Sequence, residues 1–148
     1  MTYKSRVPSD PAYLLALGQA TYSYSYLEWQ VIWLAQKLDQ GFAISSTNEL
    51  AGGKIAALFK STVKSAKTKV SDVTYARLRD GYADLFRLVA IRNDLLHAHP
   101  FTATDGQRLG RYKDGKNVEW TIEGIDDACM RFDKLAIELN DIFHKALP

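Results

Sequence analysis

The feature that most constrains this fold is a long stretch after Pro11 with no further proline before Gly41. Proline suits the first turn of a helix, with Ser9 or Asp10 as the N-cap, and glycine is typical of the residue beyond a helix end. The apolar residues between them fall into two stripes at about 100° per residue. We therefore predict one long helix that is apolar on two faces and must be covered on both.

The two stripes differ in composition. The first consists of Tyr13, Leu17, Ala20, Tyr24, Leu27, Val31 and Leu38, and the second of Tyr22, Tyr26, Trp29 and Trp33. The first is suited to the core of the monomer. Because aromatic residues are enriched in interfaces, we expect the second, the aromatic stripe, to contact another subunit.

Two further helices are predicted before Pro100. A capping box at Ser46-Thr47-Asn48-Glu49 indicates the start of one, in which Gly52-Gly53 allows a neighbouring helix to pack closely. Ser71-Asp72 indicates the start of the next. Pro100 ends it, because proline disfavours the helical conformation in the residue before it.

The remaining residues predict a hairpin and a last helix. The turn pair Asp114-Gly115 favours a hairpin that pairs Leu109–Lys113 with Asn117–Ile122. An amphipathic pattern then predicts a helix from about Ile125 to Leu147. The fold class is therefore mainly α: an up-down four-helix bundle with a small β-hairpin before the last helix. A chain of 148 residues is ordinary for one domain, so residues 1–148 are taken as a single unit.

Composition narrows the setting of the protein. A single cysteine, Cys129, cannot form an internal disulfide, which favours a cytoplasmic location, and its place in an apolar stripe predicts an inert core thiol. The sequence has no secretory signal and no apolar stretch long enough for a membrane span, so no membrane partner is expected. The net charge of +2 does not by itself indicate a polyanionic ligand.

The segment from Arg92 to Pro100 places polar residues where helical periodicity calls for apolar packing or its margin. Asn93 interrupts the apolar stripe of the third helix, and Arg92 and His97 fall at the two edges of that stripe. Burying polar groups without partners costs roughly 1–3 kcal/mol each. We therefore expect a cleft, a partner subunit or a ligand to compensate for them.

This segment resembles the HEPN superfamily, whose nuclease members carry an arginine, four to six residues and then a histidine. Here four residues separate Arg92 from His97, and Asn93 occupies the polar position that commonly follows the arginine. Glu28, in the middle of the first helix, is also similar to the family pattern. Where many relatives have a tyrosine, two positions after the histidine, this chain has His99, so the modification of that tyrosine is not carried over.

The resemblance implies a metal-independent endoribonuclease with no cofactor, in which the ribose 2′-OH attacks the adjacent phosphate. In this reading His97 does the acid/base work, Arg92 holds the phosphate and Asn93 orients the imidazole or a phosphate oxygen. Weaker substrate-binding candidates are His99, Asp94, Lys60, Lys64 and Lys67.

The resemblance also implies partners. HEPN nucleases form dimers in which two motifs face one cleft, so we expect a homodimer that binds RNA. It further implies a role as a toxin or a host-defence effector, with an antitoxin protein as a further partner.

Several alternatives stay open at this point. Arg92 can pair with Glu28 or Asp94, and His97 can be an ordinary boundary histidine. The domain can also be a HEPN-like binding module for a nucleotide, RNA or protein without catalysis. A metal site at His97 and His99 with Asp94 is disfavoured, because two histidines two positions apart on a helix point about 200° apart. His144 in the last helix is expected at the surface.

Overall fold

The computed structural model describes residues 10–42 and 51–148. In these ranges the helices are α1 (Pro11–Leu38), α2 (Gly52–Ser65), α3 (Asp72–Leu96) and α4 (Ile122–Asp141), the last continued by a π-helical turn (Ile142–Ala146). An antiparallel sheet of β1 (His99–Ala103), β2 (Gly106–Lys113) and β3 (Lys116–Trp120) lies between α3 and α4 in the chain. The mainly helical class, with a small β element before the last helix, is confirmed.

The first helix begins as its sequence predicts. The Asp10 side chain accepts a hydrogen bond from the backbone N–H of Tyr13 at 2.7 Å, which satisfies one of the free donors of the first turn. The last residue of the helix is Leu38, and Asp39 is its C-cap, in an extended conformation. Gly41 lies two residues beyond this cap. Gly41 is therefore not the residue that stops this helix.

The start of the second helix differs from the prediction. The capping box at residues 46–49 lies outside the described residues. The helix α2 begins at Gly52, and Ala51 before it is extended, with ψ 152°. The helix therefore does not continue back through Ala51 to the predicted cap.

The third and fourth helices both have side-chain caps at their starts. Ser71 accepts from the N–H of Thr74 at the start of α3, as predicted. Thr121 accepts from the N–H of Gly124, so α4 begins at Ile122, three residues earlier than predicted.

The helices pack in a ring, with α1 against α4 and α2, and α3 against α2 and α4. Helix α3 runs antiparallel to α4, since Arg77 near its start bonds Asp141 at the end of α4. In contrast, α1 and α4 run in the same direction, because Lys37 near the end of α1 reaches the carbonyl of Phe143 beyond the end of α4. Helix α2 runs antiparallel to α3, with Lys60 beside Tyr82 and Lys67 beside Tyr75. The order therefore differs from strict up-down alternation at α1 and α2, which run in the same direction.

The main core lies inside this ring. Fully buried side chains from all four helices meet there, among them Leu27, Phe59, Leu88, Phe132 and Leu139. A second cluster lies between the helices and the sheet and contains Tyr13, Ala16, Ala20, Leu95, Trp120 and Ile125. No helix in the described ranges is both long enough and apolar enough to cross a membrane.

The predicted hairpin is confirmed, with Leu109 opposite Trp120 and Lys113 opposite Lys116. Asp114 and Gly115 both have positive φ, 52° and 74°, as a tight two-residue hairpin turn requires.

A third strand, β1, was not predicted. Helix α3 already ends at Leu96, and His99 is the first residue of β1 rather than the end of the helix. Pro100 is tolerated there because β1 is an edge strand, where a missing N–H leaves no ladder bond unmade.

Candidate functional site

The arginine of the motif points from α3 toward α1. The guanidinium carbon of Arg92 lies 5.3 Å from the ring centroid of Tyr24, and its Nη1 donates to Oδ1 of Asn93 at 3.0 Å. Its Nε is buried and has no hydrogen-bond partner among the described residues. No ion pair joins Arg92 to Glu28 or Asp94 in this part of the chain. The guanidinium therefore keeps unused hydrogen-bonding capacity.

Arg92 borders a small cavity of about 80 Å³. The lining residues come from α1, α3 and α4: Ala20, Thr21, Tyr24, Ser25, Arg92, Leu95, Leu96 and Phe132. A water molecule in the liquid occupies about 30 Å³, so this volume suits a few waters or one small group, not a whole nucleotide. Any larger ligand must bind at the mouth of the cavity.

Two ionisable residues of α1, Glu28 and Tyr24, lie beside Arg92. Burial raises the pKa of the Glu28 carboxyl, because a low-dielectric environment disfavours its charge, although the positive charge of Arg92 opposes this shift. Burial likewise raises the pKa of Tyr24 to about 12, and the neighbouring Glu28 adds to that effect. Tyr24 is therefore a neutral hydrogen-bonding phenol over the whole physiological range.

The start of α2 closes this side of the site. A Cβ placed on Gly52 would lie 2.8 Å from Oη of Tyr24 and 3.7 Å from Oε2 of Glu28. Only glycine allows the helix to begin so close to these two groups. The partial positive charge of a helix N-terminus then favours a carboxylate at this position. The close packing predicted for Gly52-Gly53 is confirmed at Gly52, whereas nothing lies near Gly53.

Glu28 carries only a weak sequence signal of a role in the site. It was named for its similarity to a family pattern and as one possible partner of Arg92, and helical periodicity within α1 cannot show which other helix a residue faces. Its 64-residue distance along the chain from Arg92 (92 − 28) is bridged only by the packing of α1 on α3.

The histidine of the motif lies at the end of the same helix. His97 is the C-cap of α3, and its N–H donates to the carbonyl of Asn93 at 2.9 Å. The residue is exposed, and its imidazole makes no hydrogen bond to the described residues. Within one copy of the chain, Arg92 therefore faces inward while His97 faces solvent about one turn further on.

The other two polar residues of the segment lie elsewhere. Asp94 is exposed and forms an ion pair with Arg111 of β2. His99 stacks on the ring of Tyr112, also of β2. No group of three potential metal ligands occurs in residues 10–42 and 51–148.

Two of the candidate lysines, Lys60 and Lys64, lie on α2, and Lys67 lies in the turn after it; none of them lines the Arg92 cavity. Lys60 lies 5.7 Å from the ring centroids of both Tyr82 and Phe86, and Lys67 lies 5.7 Å from that of Tyr75. These contacts pack α2 and the turn after it on α3. Lys64 is exposed. The lysines therefore border a separate surface rather than the site itself.

Three residues of the aromatic stripe of α1, Tyr22, Tyr26 and Trp33, are exposed, whereas Trp29 is half-buried against the main core. Tyr22, Ser25, Tyr26, Trp29 and Trp33 line a groove of about 330 Å³. Ser25 lines both this groove and the Arg92 cavity. The aromatic stripe and the site are therefore adjacent.

Cys129 was predicted to be in the core and His144 at the surface. Cys129 is half-buried rather than fully in the core, with its Sγ 3.3 Å from Oγ of Ser23, because it borders the open groove between α1 and α4. His144 is exposed, as predicted, with its ring edge-to-face against Phe143.

Comparison of the chain with protein-family models, with characterised proteins and with solved structures finds no match. Function must therefore be argued from the residues and their geometry.

Proposed function

We propose that this protein is a metal-independent endoribonuclease of the HEPN type, which acts as a homodimer. The observation that carries the proposal is the incompletely paired guanidinium of Arg92. It borders a cavity beside Glu28 and Tyr24, one turn before an exposed histidine. A buried donor without a partner costs about 1–3 kcal/mol, and such a cost calls for an explanation in function.

Arg92 supplies the positive charge for the phosphate. A guanidinium donates parallel hydrogen bonds to anionic oxygens, and it remains charged at any physiological pH. Asn93 already accepts from Nη1, so its role in this proposal is to position Arg92 rather than the imidazole. Glu28 and Tyr24 support the same guanidinium from the side of α1.

His97 supplies the acid/base chemistry. The 2′-OH loses its proton to a neutral imidazole and attacks phosphorus, while the bond from phosphorus to the 5′ oxygen breaks. The departing oxygen takes a proton from an imidazolium. The products are a 2′,3′-cyclic phosphate and a 5′-hydroxyl, and no metal or redox partner is needed. Histidine suits both roles because it titrates near neutrality.

Two imidazoles do this work better than one, which is the reason for a dimer. A second copy on the aromatic stripe would lie against the mouth of the Arg92 cavity, because Ser25 belongs to both. That arrangement completes a cleft that is too small in one copy to hold a nucleotide. Lys60, Lys64 and Lys67 then bind the RNA strand away from the cleaved bond, in a salt-dependent way.

In the cell, this activity suits a cytoplasmic toxin or host-defence effector held in check by an antitoxin protein. The support for this role is the family resemblance of the Arg92–His97 segment, which implies it.

The test is RNA cleavage by purified protein in EDTA. We expect the wild type to cut mixed RNA, and Arg92→Ala and His97→Ala to lose at least about a thousandfold in rate. Arg87→Ala, an exposed arginine on the same helix, is the matched control and should cut normally. Absence of cleavage of any RNA by the wild type, or equal activity in the His97 variant, would refute the proposal.

The dimer has a separate test. Sedimentation velocity at micromolar concentration should show a dimer that Trp33→Ala weakens, whereas Val73→Ala, at an exposed site on α3, should not. A monomer at all concentrations contradicts the composite cleft.

The second candidate is a HEPN-like module that binds a nucleotide, RNA or protein without cutting. The exposed position of His97, whose imidazole has no hydrogen bond to Arg92 in the described residues, favours it. RNA binding that Arg92→Ala weakens, with no cleavage by the wild type, would identify this function instead.

A further inference from the structure

The outward face of α1 has no charged side chain between Pro11 and Gln36. The charged residues of the helix are Glu28, which lies beside Arg92, and Lys37 at its end. On the outward face, exposed residues recur every three or four positions: Leu15, Gly18, Tyr22, Ser25, Tyr26 and Trp33. A helix face that meets water normally carries charged and polar residues, whereas the centre of a protein interface is depleted of charge and enriched in aromatic residues. This face is therefore suited to cover by another protein surface.

Large and small residues alternate on the outward face. Tyr22 is 74% exposed and lies between two hollows, since it lines both of them. The first hollow, of about 620 Å³, lies at Gly18, and the second, of about 330 Å³, lies at Ser25. A Cβ on Gly18 would meet no atom within 4 Å in the described residues. Glycine inside a helix costs about 1 kcal/mol relative to alanine, and no packing within this part of the chain requires it, so Gly18 is suited to the close approach of another helix.

The two hollows match the rings of a second α1 that runs in the opposite direction. With Tyr22 opposite the partner's Ser25, the next helical turn places Gly18 opposite the partner's Trp29. The larger hollow then faces a tryptophan and the smaller one faces a tyrosine. A two-fold axis makes each of these contacts twice. In a parallel pair, by contrast, equal residues face each other, so that two Tyr22 rings collide and the hollows stay empty.

The length of α1 selects the register of this pair. An antiparallel pair with Tyr22 opposite the partner's Gly18 would set Trp33 beyond the start of the partner's helix, because α1 begins at Pro11. With Tyr22 opposite the partner's Ser25, Trp33 instead faces the first turn of the partner's helix. This register therefore covers every exposed ring of the outward face.

The area available is a substantial part of an interface. At roughly 200 Å² for one aromatic side chain, the exposed parts of Tyr22, Tyr26 and Trp33 amount to about 300 Å² in each copy. A standard interface buries about 800 Å² on each partner, so these three rings supply more than a third of it. The residues between them on the same face add the remainder.

We propose that α1 pairs antiparallel with α1 of a second copy, with Tyr22 of each copy in the hollow at Ser25 of the other. The inference deepens the proposed function, from which it takes the homodimer, and it names a residue that the second copy contributes to the site. Ser25 also lines the Arg92 cavity. The partner's Tyr22 therefore lies at the mouth of that cavity and forms one wall of the composite cleft.

Charge selects a second copy over other occupants of this face. Binding of RNA depends on cations that neutralise its phosphates, and the outward face has none between Pro11 and Gln36. An uncharged face meets an identical face without repulsion between like charges. The antiparallel order also sets the positive end of each helix macrodipole beside the negative end of the other. A helix of a different protein on this face is the alternative outcome, in which the purified chain alone is a monomer.

The first experiment exchanges the large residue and the small one. We expect Ser25→Tyr, which fills the hollow, and Tyr22→Ser, which removes the ring, each to raise the dimer dissociation constant about tenfold or more. The double variant Tyr22→Ser/Ser25→Tyr restores the fit with the two residues exchanged, and it should return to within about threefold of wild type. Sedimentation velocity measures all three. Arg87→Tyr, which adds a ring at an exposed site on α3, is the matched control and should dimerise normally.

The second experiment tests the direction of the pair. Pro11→Cys and Gln36→Cys, combined in a Cys129→Ser background, lie 25 residues (36 − 11) apart, or about 37 Å along one helix. A bismaleimide that spans about 10 Å can therefore join them only between two antiparallel copies. We expect a cross-linked dimer from the variant with both cysteines and none from either single-cysteine variant. Cross-linking of a single-cysteine variant would mean a parallel pair and would overturn the inference.

Both experiments measure association alone, so their results are independent of RNA cleavage. The inference is overturned if the purified chain is a monomer, if the exchange of Tyr22 and Ser25 does not restore the dimer, or if the variant with both cysteines is not cross-linked. An antiparallel dimer that cuts no RNA supports the α1 pair and refutes the nuclease. Cleavage of RNA by a dimer that the exchange does not restore supports the nuclease and refutes the α1 pair.

Discussion

Two of the arginines of helix α3, Arg77 and Arg92, differ in the hydrogen-bond partners that surround them. Arg77, near its start, donates from Nε to Glu138 at 2.8 Å and from Nη2 to Asp141 at 2.9 Å. These two hydrogen bonds raise the pKa of Arg77 above its ordinary value, and the bond to Glu138 has the larger effect. Arg92, near the end of the helix, has one amide oxygen as its hydrogen-bond acceptor and a buried Nε without any in the described residues.

The difference is not explained by burial alone. The Arg108 side chain is only 10% exposed, yet it pairs with Asp10 at 2.9 Å and lies 3.4 Å from Glu119. Even a strongly buried guanidinium in this protein is therefore supplied with carboxylates. A paired arginine holds elements together, whereas an underpaired one beside a cavity retains donors for a ligand. The hydrogen-bond partners of an arginine, and not its position on a helix, therefore distinguish the two roles.

The largest expected effect after those of the alanine variants comes from a substitution of Arg92 that keeps its charge and changes its shape. Arg92→Lys should lower the rate of RNA cleavage about a hundredfold, because an ammonium cannot donate the two parallel bonds of a guanidinium. Arg77→Lys should leave cleavage within about threefold, and its thermal midpoint should fall by a few degrees, because partly exposed ion pairs contribute little. Equal losses of activity in the two variants would remove the distinction between the arginines.

The carboxylate beside Arg92 gives the next effect. We expect Glu28→Gln to lower the cleavage rate about tenfold, less than the roughly hundredfold that a 1 Å misplacement can cost, because glutamine keeps the shape of the side chain and loses only its charge. It should also alter the acid side of the pH–rate profile, where the raised pKa of Glu28 makes that carboxyl titrate. Glu123→Gln, exposed on α4, is the control. An unchanged profile in the Glu28 variant would show that the carboxylate is not part of the site.

Two adjacent glycines test the close contact at the start of α2. Gly52→Ala should lower the free energy of unfolding by about 1–2 kcal/mol, because its Cβ would force the Tyr24 hydroxyl to move. Gly53→Ala meets no atom and should raise it by about 0.5–1 kcal/mol, through better helix propensity. Urea unfolding measures both. The same sign in both variants would mean that Gly52 does not pack on Tyr24.

The last expected effect is confined to alkaline pH, where the stability of the protein depends on Tyr24. The pKa of Tyr24 is raised from 10.0 to about 12 in the folded protein. Its contribution to stability is therefore complete below pH 10 and is lost as the pH rises from 10 to 12. Between pH 10 and 12, the free energy of unfolding should fall less steeply with pH for Tyr24→Phe than for the wild type. Tyr22→Phe, on the exposed face of the same helix, should keep the wild-type slope, and equal slopes for all three would contradict the burial of the Tyr24 phenol.

Much of the local structure followed from the sequence. Asp10 was one of two predicted caps of α1, and the start of α3 at Ser71-Asp72 and the turn at Asp114-Gly115 were also predicted, since each depends on a few neighbouring residues. The strand β1 was not, because its residues pair with β2 rather than with each other, and a short segment after a helix carries little periodicity.

The candidate site was predictable only in part. The polar break at Arg92, Asn93 and His97 is visible in the apolar pattern of α3, and of these three residues Arg92 lines the cavity. The contribution of Tyr24 and Glu28 was not visible in that way. Both lie on another helix, and which helices meet is decided by packing.

The order of apolar and polar residues, with its caps and turns, determined that this chain forms long helices and one tight hairpin, because those choices are made within a few bonds. The tertiary structure decided the directions of the helices, the meeting of α1 with the end of α3, and the orientation of Arg92 and His97 to different sides. These depend on side chains far apart in the chain, whose contacts become favourable only when the whole core is assembled.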